Sequence, residues 1–255
     1  MMNYRVDTLE LGAFTTESGE KIENLKLQYE HVGYPGQPLV LVCHALTGNH
    51  LTYGTEENPG WWREIIDGGY MPLHDYQFLT FNVIGSPFGS SSRVTDQNFP
   101  QHLTMRDIAH ALEKGIEALG FRKIDVLIGG SLGGMQALEL LYRHKFEVEK
   151  AVILAATAKT SSYSRAFNEI ARQAIHIAGK EGLSIARQLG FLTYRSSKSY
   201  EARFTPDEVV TYQKYQGDKF KEQFDLQCYL TLLDVLDSHD IYSCLLYTSD
   251  AADDS

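Results

Sequence analysis

Short, unbroken apolar runs alternate along the chain with segments whose apolar residues recur every three or four positions. Residues 38–44, Pro38-Leu39-Val40-Leu41-Val42-Cys43-His44, form one such run. It lacks polar alternation and is too short for a helix, which is the pattern of a strand covered on both faces. Runs at 78–83, 123–128 and 151–155 predict three more strands of this kind. Helical spacing separates them. Ile108, Leu112, Ile116 and Leu119 fall on one face of a helix predicted over 105–119, with Thr104 and Asp107 as a capping pair at its start. Shorter helices are predicted over 60–66 and 135–143. Strands separated by helices imply parallel βαβ units, so the fold class is α/β with a mostly parallel, doubly wound sheet. Two strand-like runs, 9–14 and 25–29, flank the turn signal Ser18-Gly19-Glu20 and open the chain.

After Ala156 the pattern changes. Segments 164–178, 184–190, 206–221 and 228–236 carry helical spacing, with no clear strand among them. A helical block following a parallel sheet reads as a cap. The expected organisation is a core over 1–158, a helical cap over 159–241, and a remainder, 242–255, that fits neither. Residues 242–250 have a strand-like pattern and are followed only by Ala251-Ala252-Asp253-Asp254-Ser255. The run 244–253 resembles a translated sequencing adapter, so 242–255 is expected to be a foreign tail on a chain whose final sheet strands are missing.

Composition narrows the function classes. Of the 255 residues 43% are hydrophobic and 22% charged, ordinary values for a soluble globular protein. The net charge of −10, with no Lys/Arg cluster, excludes a nucleic-acid binder. Cys43, Cys228 and Cys244 are widely spaced and form no zinc or redox motif, so reduced thiols in a cytoplasmic protein are expected. The N-terminus has no secretory apolar region, and no run approaches the roughly 20 apolar residues of a membrane span.

The candidate chemistry centres on Gly129-Gly130-Ser131-Leu132-Gly133, a G-x-S-x-G pattern between a predicted strand and a predicted helix. Small flanking residues let the backbone turn sharply enough to present the serine hydroxyl, and the helix N-terminus adds free N–H groups. Ser131 is the candidate nucleophile; the alternative is a Gly-rich turn that merely packs a helix on a strand. Such a nucleophile needs an oxyanion hole. One N–H is expected from Leu132 and the other from Leu46, in the loop after 38–44. His44 reads as a structural imidazole, because the base of this arrangement follows the nucleophile. His144, His176 and His239 do follow it, but all three read as structural or exposed. No phosphate loop, dinucleotide fingerprint or metal-ligand spacing is present, so no metal and no resident cofactor are expected.

The segment 129–138, Gly-Gly-Ser-Leu-Gly-Gly-Met-Gln-Ala-Leu, closely resembles the nucleophile segment of homoserine O-acetyltransferases, acyltransferases of the α/β-hydrolase fold. So do His44-Ala45-Leu46-Thr47-Gly48, Gly60-Trp61-Trp62 and Asn82-Val83-Ile84-Gly85, and the likeness continues through 186–196, Arg203-Phe204, Phe224-Asp225, Tyr229-Leu230 and Leu236-Asp237. The resemblance implies a two-step transfer. Ser131 takes an acetyl group from acetyl-CoA, the co-substrate, and L-homoserine then attacks the acyl-serine to give a precursor for methionine biosynthesis. A cap that excludes water would suppress hydrolysis. The resemblance also implies that Arg187 holds the homoserine carboxylate, that Tyr194 offers a hydroxyl near it, and that two copies pair through cap helices. Read alone, Arg187 is a solvated cap residue paired with an acid, and Tyr194 a half-buried aromatic.

The chain departs from the family where the triad Asp and His should follow the cap. Asp250 mimics the acid, but no histidine comes later. The chain is therefore expected to be inactive and poorly soluble. Three other readings remain open: succinyl-CoA as donor or serine as acceptor, a plain serine esterase or thioesterase, and a non-catalytic binding protein on the same fold.

Overall fold

The computed structural model describes residues 2–243. In chain order its strands are β1 (Asn3–Glu10), β2 (Phe14–Thr15), β3 (Lys21–Ile22), β4 (Lys26–Gly33), β5 (Leu39–Cys43), β6 (Gln77–Phe81), β7 (Lys123–Gly130) and β8 (Glu147–Leu154). Six of them form one sheet in the order β1-β4-β6-β5-β7-β8, and β2 and β3 make a separate ribbon. β4 pairs antiparallel with β1 and β6, whereas β6, β5, β7 and β8 run parallel. Every residue of β5 and β6 is buried, as their unbroken apolar runs require.

The chain leaves β5 towards β6 on one side and returns as β7 on the other. β5 and β7 therefore flank a switch point, the place where open α/β sheets bind ligands at the carboxyl ends of their strands. Cys43 pairs with Gly129 there. Helices α1 (Arg63–Asp67), α2 (Met105–Ala118) and α3 (Leu132–Arg143) make the crossovers. The Thr104 hydroxyl accepts from the Asp107 N–H, and the Asp107 carboxylate accepts from the Thr104 N–H, so the expected cap of α2 is formed on both sides.

Beyond β8 the described residues are helical: α4 (Ser162–Ala178), α5 (Lys180–Thr193), α6 (Ser197–Glu201), α7 (Pro206–Gln223) and α8 (Leu226–Ser238). Two short extended segments enter and leave this helical block side by side. The Thr160 N–H donates to the His239 carbonyl at 3.0 Å, and the Ile241 N–H to the Ala158 carbonyl at 2.9 Å. Lys159 and Asp240 form an ion pair across the same junction.

His239 fastens this neck to the core. Its Nε2 lies 3.0 Å from the Thr157 carbonyl, and its Nδ1 lies 3.3 Å from Glu139 Oε1 on α3, with both side chains buried. Neither His239 Nδ1 nor Glu139 Oε2 makes a hydrogen bond among the described residues, so the two side chains face each other by proximity alone. The neighbouring Arg143 is committed to Glu113 through two hydrogen bonds of 2.8 and 2.9 Å.

Several elements differ from the expected bounds. α3 starts at Leu132 rather than 135, because the glycines that break helical propensity are there to permit close packing. β8 starts at Glu147, and the run 151–155 is not covered on both faces: Val152 and Leu154 are exposed, since β8 pairs only with β7 among the described residues. His144 is not within a helix but is the left-handed C-cap of α3. His176 is exposed, and His239 is buried. Tyr242 and Ser243, expected to be extended, are helical; the rest of the tail, with Cys244 and Asp250, lies outside the described residues.

Replacing His239 with Leu strands the Glu139 carboxylate in the interior. Breaking a buried pair in this way costs about 3–5 kcal/mol. Urea denaturation is expected to show a loss of that order, and a loss below about 1 kcal/mol would contradict the role given to the pair.

Candidate active site

Ser131 adopts φ 55°, ψ −124°, a conformation that side-chain-bearing residues rarely hold. The surroundings impose it. A Cβ at position 133 would sit 2.0 Å from the Cys43 carbonyl oxygen, and one at 129 would sit 2.2 Å from the Gly133 carbonyl oxygen. Glycine at both positions lets α3 press onto the ends of β5 and β7. The Ser131 N–H donates to the Leu154 carbonyl at 2.9 Å, which ties the turn to β8. Ser131 precedes α3 as its N-cap, yet its hydroxyl does not cap the helix. The hydroxyl makes no hydrogen bond among the described residues and borders a cavity.

The two N–H groups expected as oxyanion donors are those of Leu132 and Leu46. Leu132 opens α3, so its N–H has no partner one turn back. Leu46 follows β5, and its N–H makes no hydrogen bond among the described residues. Three buried groups fix the Leu46 loop. The Val83 N–H donates to His44 Nε2 at 3.0 Å, and His44 Nδ1 meets the Ala45 carbonyl at 2.8 Å. Those two bonds require the neutral ring with its proton on Nδ1. Burial lowers the His44 pKa to about 4, which agrees with that tautomer. Gln136 of α3 donates to the His44 carbonyl at 3.1 Å.

Glu30 holds the far part of the same loop. Its carboxylate accepts from the N–H groups of Thr52 and Tyr53, both at 2.7 Å, and of Gly54 at 2.8 Å. Burial nonetheless pushes its pKa up. Sequence reasoning passed over Glu30; a lone acid within the strand run 27–32 was the available signal. His50, in the same loop, is also buried, and burial followed by repulsion from His44 lowers its pKa to about 4.

The cavity has a volume of about 480 Å³, within the usual range for small-ligand sites. Ser131, Leu46 and Met135 form its floor; Tyr194, Arg195 and Tyr229 belong to its helical walls. No histidine or carboxylate lines it among the described residues. Arg187 stands behind the wall. Its guanidinium lies 4.6 Å from the Phe191 ring centre and 4.8 Å from that of Phe220, and Nη1 donates to Thr47 Oγ1 at 3.2 Å. It has no carboxylate partner among the described residues. Tyr194 ends α5 half exposed, with its hydroxyl over Gly190. The structure thus gathers Ser131, Leu46 and Tyr194 at one cavity; Leu132 follows Ser131 without lining it, and Arg187 joins them through Thr47. No cluster of metal-ligand type and no helix long and apolar enough to cross a membrane occurs among the described residues. Cys43 and Cys228 are buried free thiols.

The two depressed histidines make stability depend on pH. Each is neutral in the fold at a pH where the unfolded chain, with a pKa near 6.5, already takes up a proton. Their contribution is complete above about pH 6.5 and is lost as pH falls towards about 4, on the order of 2–3 kcal/mol for a fully buried ring. Denaturation midpoints are expected to fall across that window, and to fall less steeply in His50→Gln.

A family model described as the alpha/beta hydrolase fold matches residues 38–178. The homoserine O-acetyltransferase of Thermus thermophilus is 35% identical over 266 residues, covering 89% of this chain and 70% of that protein. A homoserine O-succinyltransferase of Leptothrix cholodnii is 34% identical over 275 residues, covering 89% and 72%. The crystal structure of homoserine O-acetyltransferase from Staphylococcus aureus superposes with a TM-score of 0.92 at 77% identity, covering 95% of this chain and 74% of that one. Esterase E22 shares the fold, with a TM-score of 0.77 at 19% identity. The elbow at Ser131, the switch-point cavity and these likenesses agree: the chain belongs to the homoserine O-acetyltransferase family of the α/β-hydrolase fold.

Proposed function

We propose that Ser131 is the nucleophile of an acyl transfer from acetyl-CoA to the side-chain hydroxyl of L-homoserine. In the first step Oγ attacks the thioester carbonyl and its proton leaves to a base. The resulting oxyanion would be met by the N–H groups of Leu46 and Leu132. Collapse expels the CoA thiolate, which takes up the proton, and leaves acetyl-Ser131. In the second step the homoserine hydroxyl attacks that ester, loses its proton to the base, and departs as O-acetyl-homoserine while Oγ regains a proton. The acid and base belong outside residues 2–243, since no described histidine or carboxylate borders the cavity.

Arg187 is the observation that carries the acceptor assignment. A half-buried guanidinium that lies over two rings and has no acidic partner among the described residues is prepared for a planar anion. Its bond to Thr47, the neighbour of Leu46, keeps that anion site beside the reacting centre. Arg195, the one cation lining the cavity among the described residues, favours a second reading in which a succinyl donor places its carboxylate there. Competition between acetyl-CoA and succinyl-CoA in the acylation step separates the two. Ile170 and Ile177, exposed on α4, support pairing of two copies through helices of the cap, which sedimentation would test.

Arg187→Met is expected to weaken L-homoserine binding by roughly tenfold to a hundredfold, the loss of a charge-assisted hydrogen-bond pair. Calorimetric titration reads this directly, and unchanged affinity would remove the acceptor assignment. Without a base at Ser131, turnover by the 255-residue chain is expected to lie on the order of 10⁴–10⁶ below that of an intact triad. Release of free CoA thiol at an ordinary rate would contradict this.

A further inference from the structure

Tyr229, in the first turn of α8, is 4% exposed and forms part of the cavity wall. Its ring is held edge-on by Phe220 at 5.7 Å and Phe224 at 6.0 Å. Phe220 is also one of the two rings that carry the Arg187 guanidinium. The Tyr229 hydroxyl makes no hydrogen bond with the described residues, yet it is not among the polar atoms sealed from solvent. It therefore opens to the cavity. Leaving a buried phenol unpaired costs about 1–3 kcal/mol, and a phenylalanine would pack against the same rings without that cost. The hydroxyl has a use only towards whatever occupies the cavity.

The neighbours narrow what that occupant offers. Arg187 lies close enough to stabilise negative charge on the phenol, while burial and Tyr194 act in the opposite sense and prevail, so the group stays protonated and can donate. The phenol borders the cavity and the Arg187 guanidinium lies behind its wall, on the Phe220 ring that both residues share, so a group that reaches both must offer two acceptor oxygens. We propose that Tyr229 is a specificity-determining residue that donates its phenolic hydrogen to the carboxylate of the amino-acid acceptor, beside Arg187. This deepens the acceptor assignment made above and rests on it.

The test is calorimetric titration of the 255-residue chain and its Tyr229→Phe variant with L-homoserine and with L-2-aminobutyrate, which keeps the carboxylate and lacks the side-chain hydroxyl. The variant is expected to bind both ligands about tenfold more weakly, with the ratio between them unchanged. Its melting temperature is expected to hold or rise, because the lost hydroxyl has no hydrogen-bonded partner among the described residues. If only homoserine is weakened, the phenol addresses the reacting hydroxyl and the carboxylate assignment is overturned. If neither is weakened while the unsubstituted chain binds homoserine, this inference alone fails. If the unsubstituted chain binds no homoserine, the acceptor assignment fails and takes the inference with it.

Discussion

The closest backbone approach at the site is that of Gly133 to the carbonyl of Cys43, with a space at 2.0 Å that no Cβ can occupy. Because α3 can reach the ends of β5 and β7 there, the chain must turn within one residue, and that residue is Ser131 at positive φ. The strain is local and costs on the order of 1–3 kcal/mol. It is held by the Leu154 carbonyl on one side and by the packing of α3 on the other. The same turn leaves the Leu132 N–H free at the helix start and brings it opposite the loop that carries Leu46. The sharp turn at Ser131 and the free first N–H of α3 thus follow from a single steric contact.

The second half of the oxyanion site depends on buried polar groups with few alternatives. His44 joins the ends of β5 and β6 and can do so only as a neutral ring with one defined tautomer. Glu30 collects three successive N–H groups of the loop after β5, groups that would otherwise lie unpaired in the interior. Neither residue touches the cavity. Both restrict where the Leu46 N–H can lie, and an oxyanion donor is effective only if it need not move when charge develops.

The helical block completes the site from above. It is tethered by a two-segment neck, and the buried His239–Glu139 pair fixes the end of α8 to α3, the helix that begins at the nucleophile. The Arg187–Thr47 bond makes a second tie, from α5 to the oxyanion loop itself. The position of the Arg187 guanidinium is therefore coupled to the loop of Leu46 through one intervening hydroxyl.

Local rules made much of this legible in the sequence. The strands at 38–44 and 123–128, the capped helix at 105 and the sharp turn at Ser131 all rest on patterns confined to a few neighbouring residues. So does the structural role of His44. The bounds of α3 and β8 were less legible, because glycine's low helix propensity at 133 and 134 and the charges at 147–150 are outweighed by contacts with distant segments. The His239–Glu139 pair carried no local signal, Glu30 only that of a lone acid in a strand run, and Tyr229 only its place in the family likeness. Glu30 and His239 meet groups 22 and 100 positions away, and Tyr229 meets the Phe220 ring nine positions back. The sequence by itself determined which elements form and which serine is presented. Only the tertiary structure decided which buried polar groups are paired and which are left facing the cavity, because pairing is set by burial and three-dimensional proximity rather than by spacing along the chain.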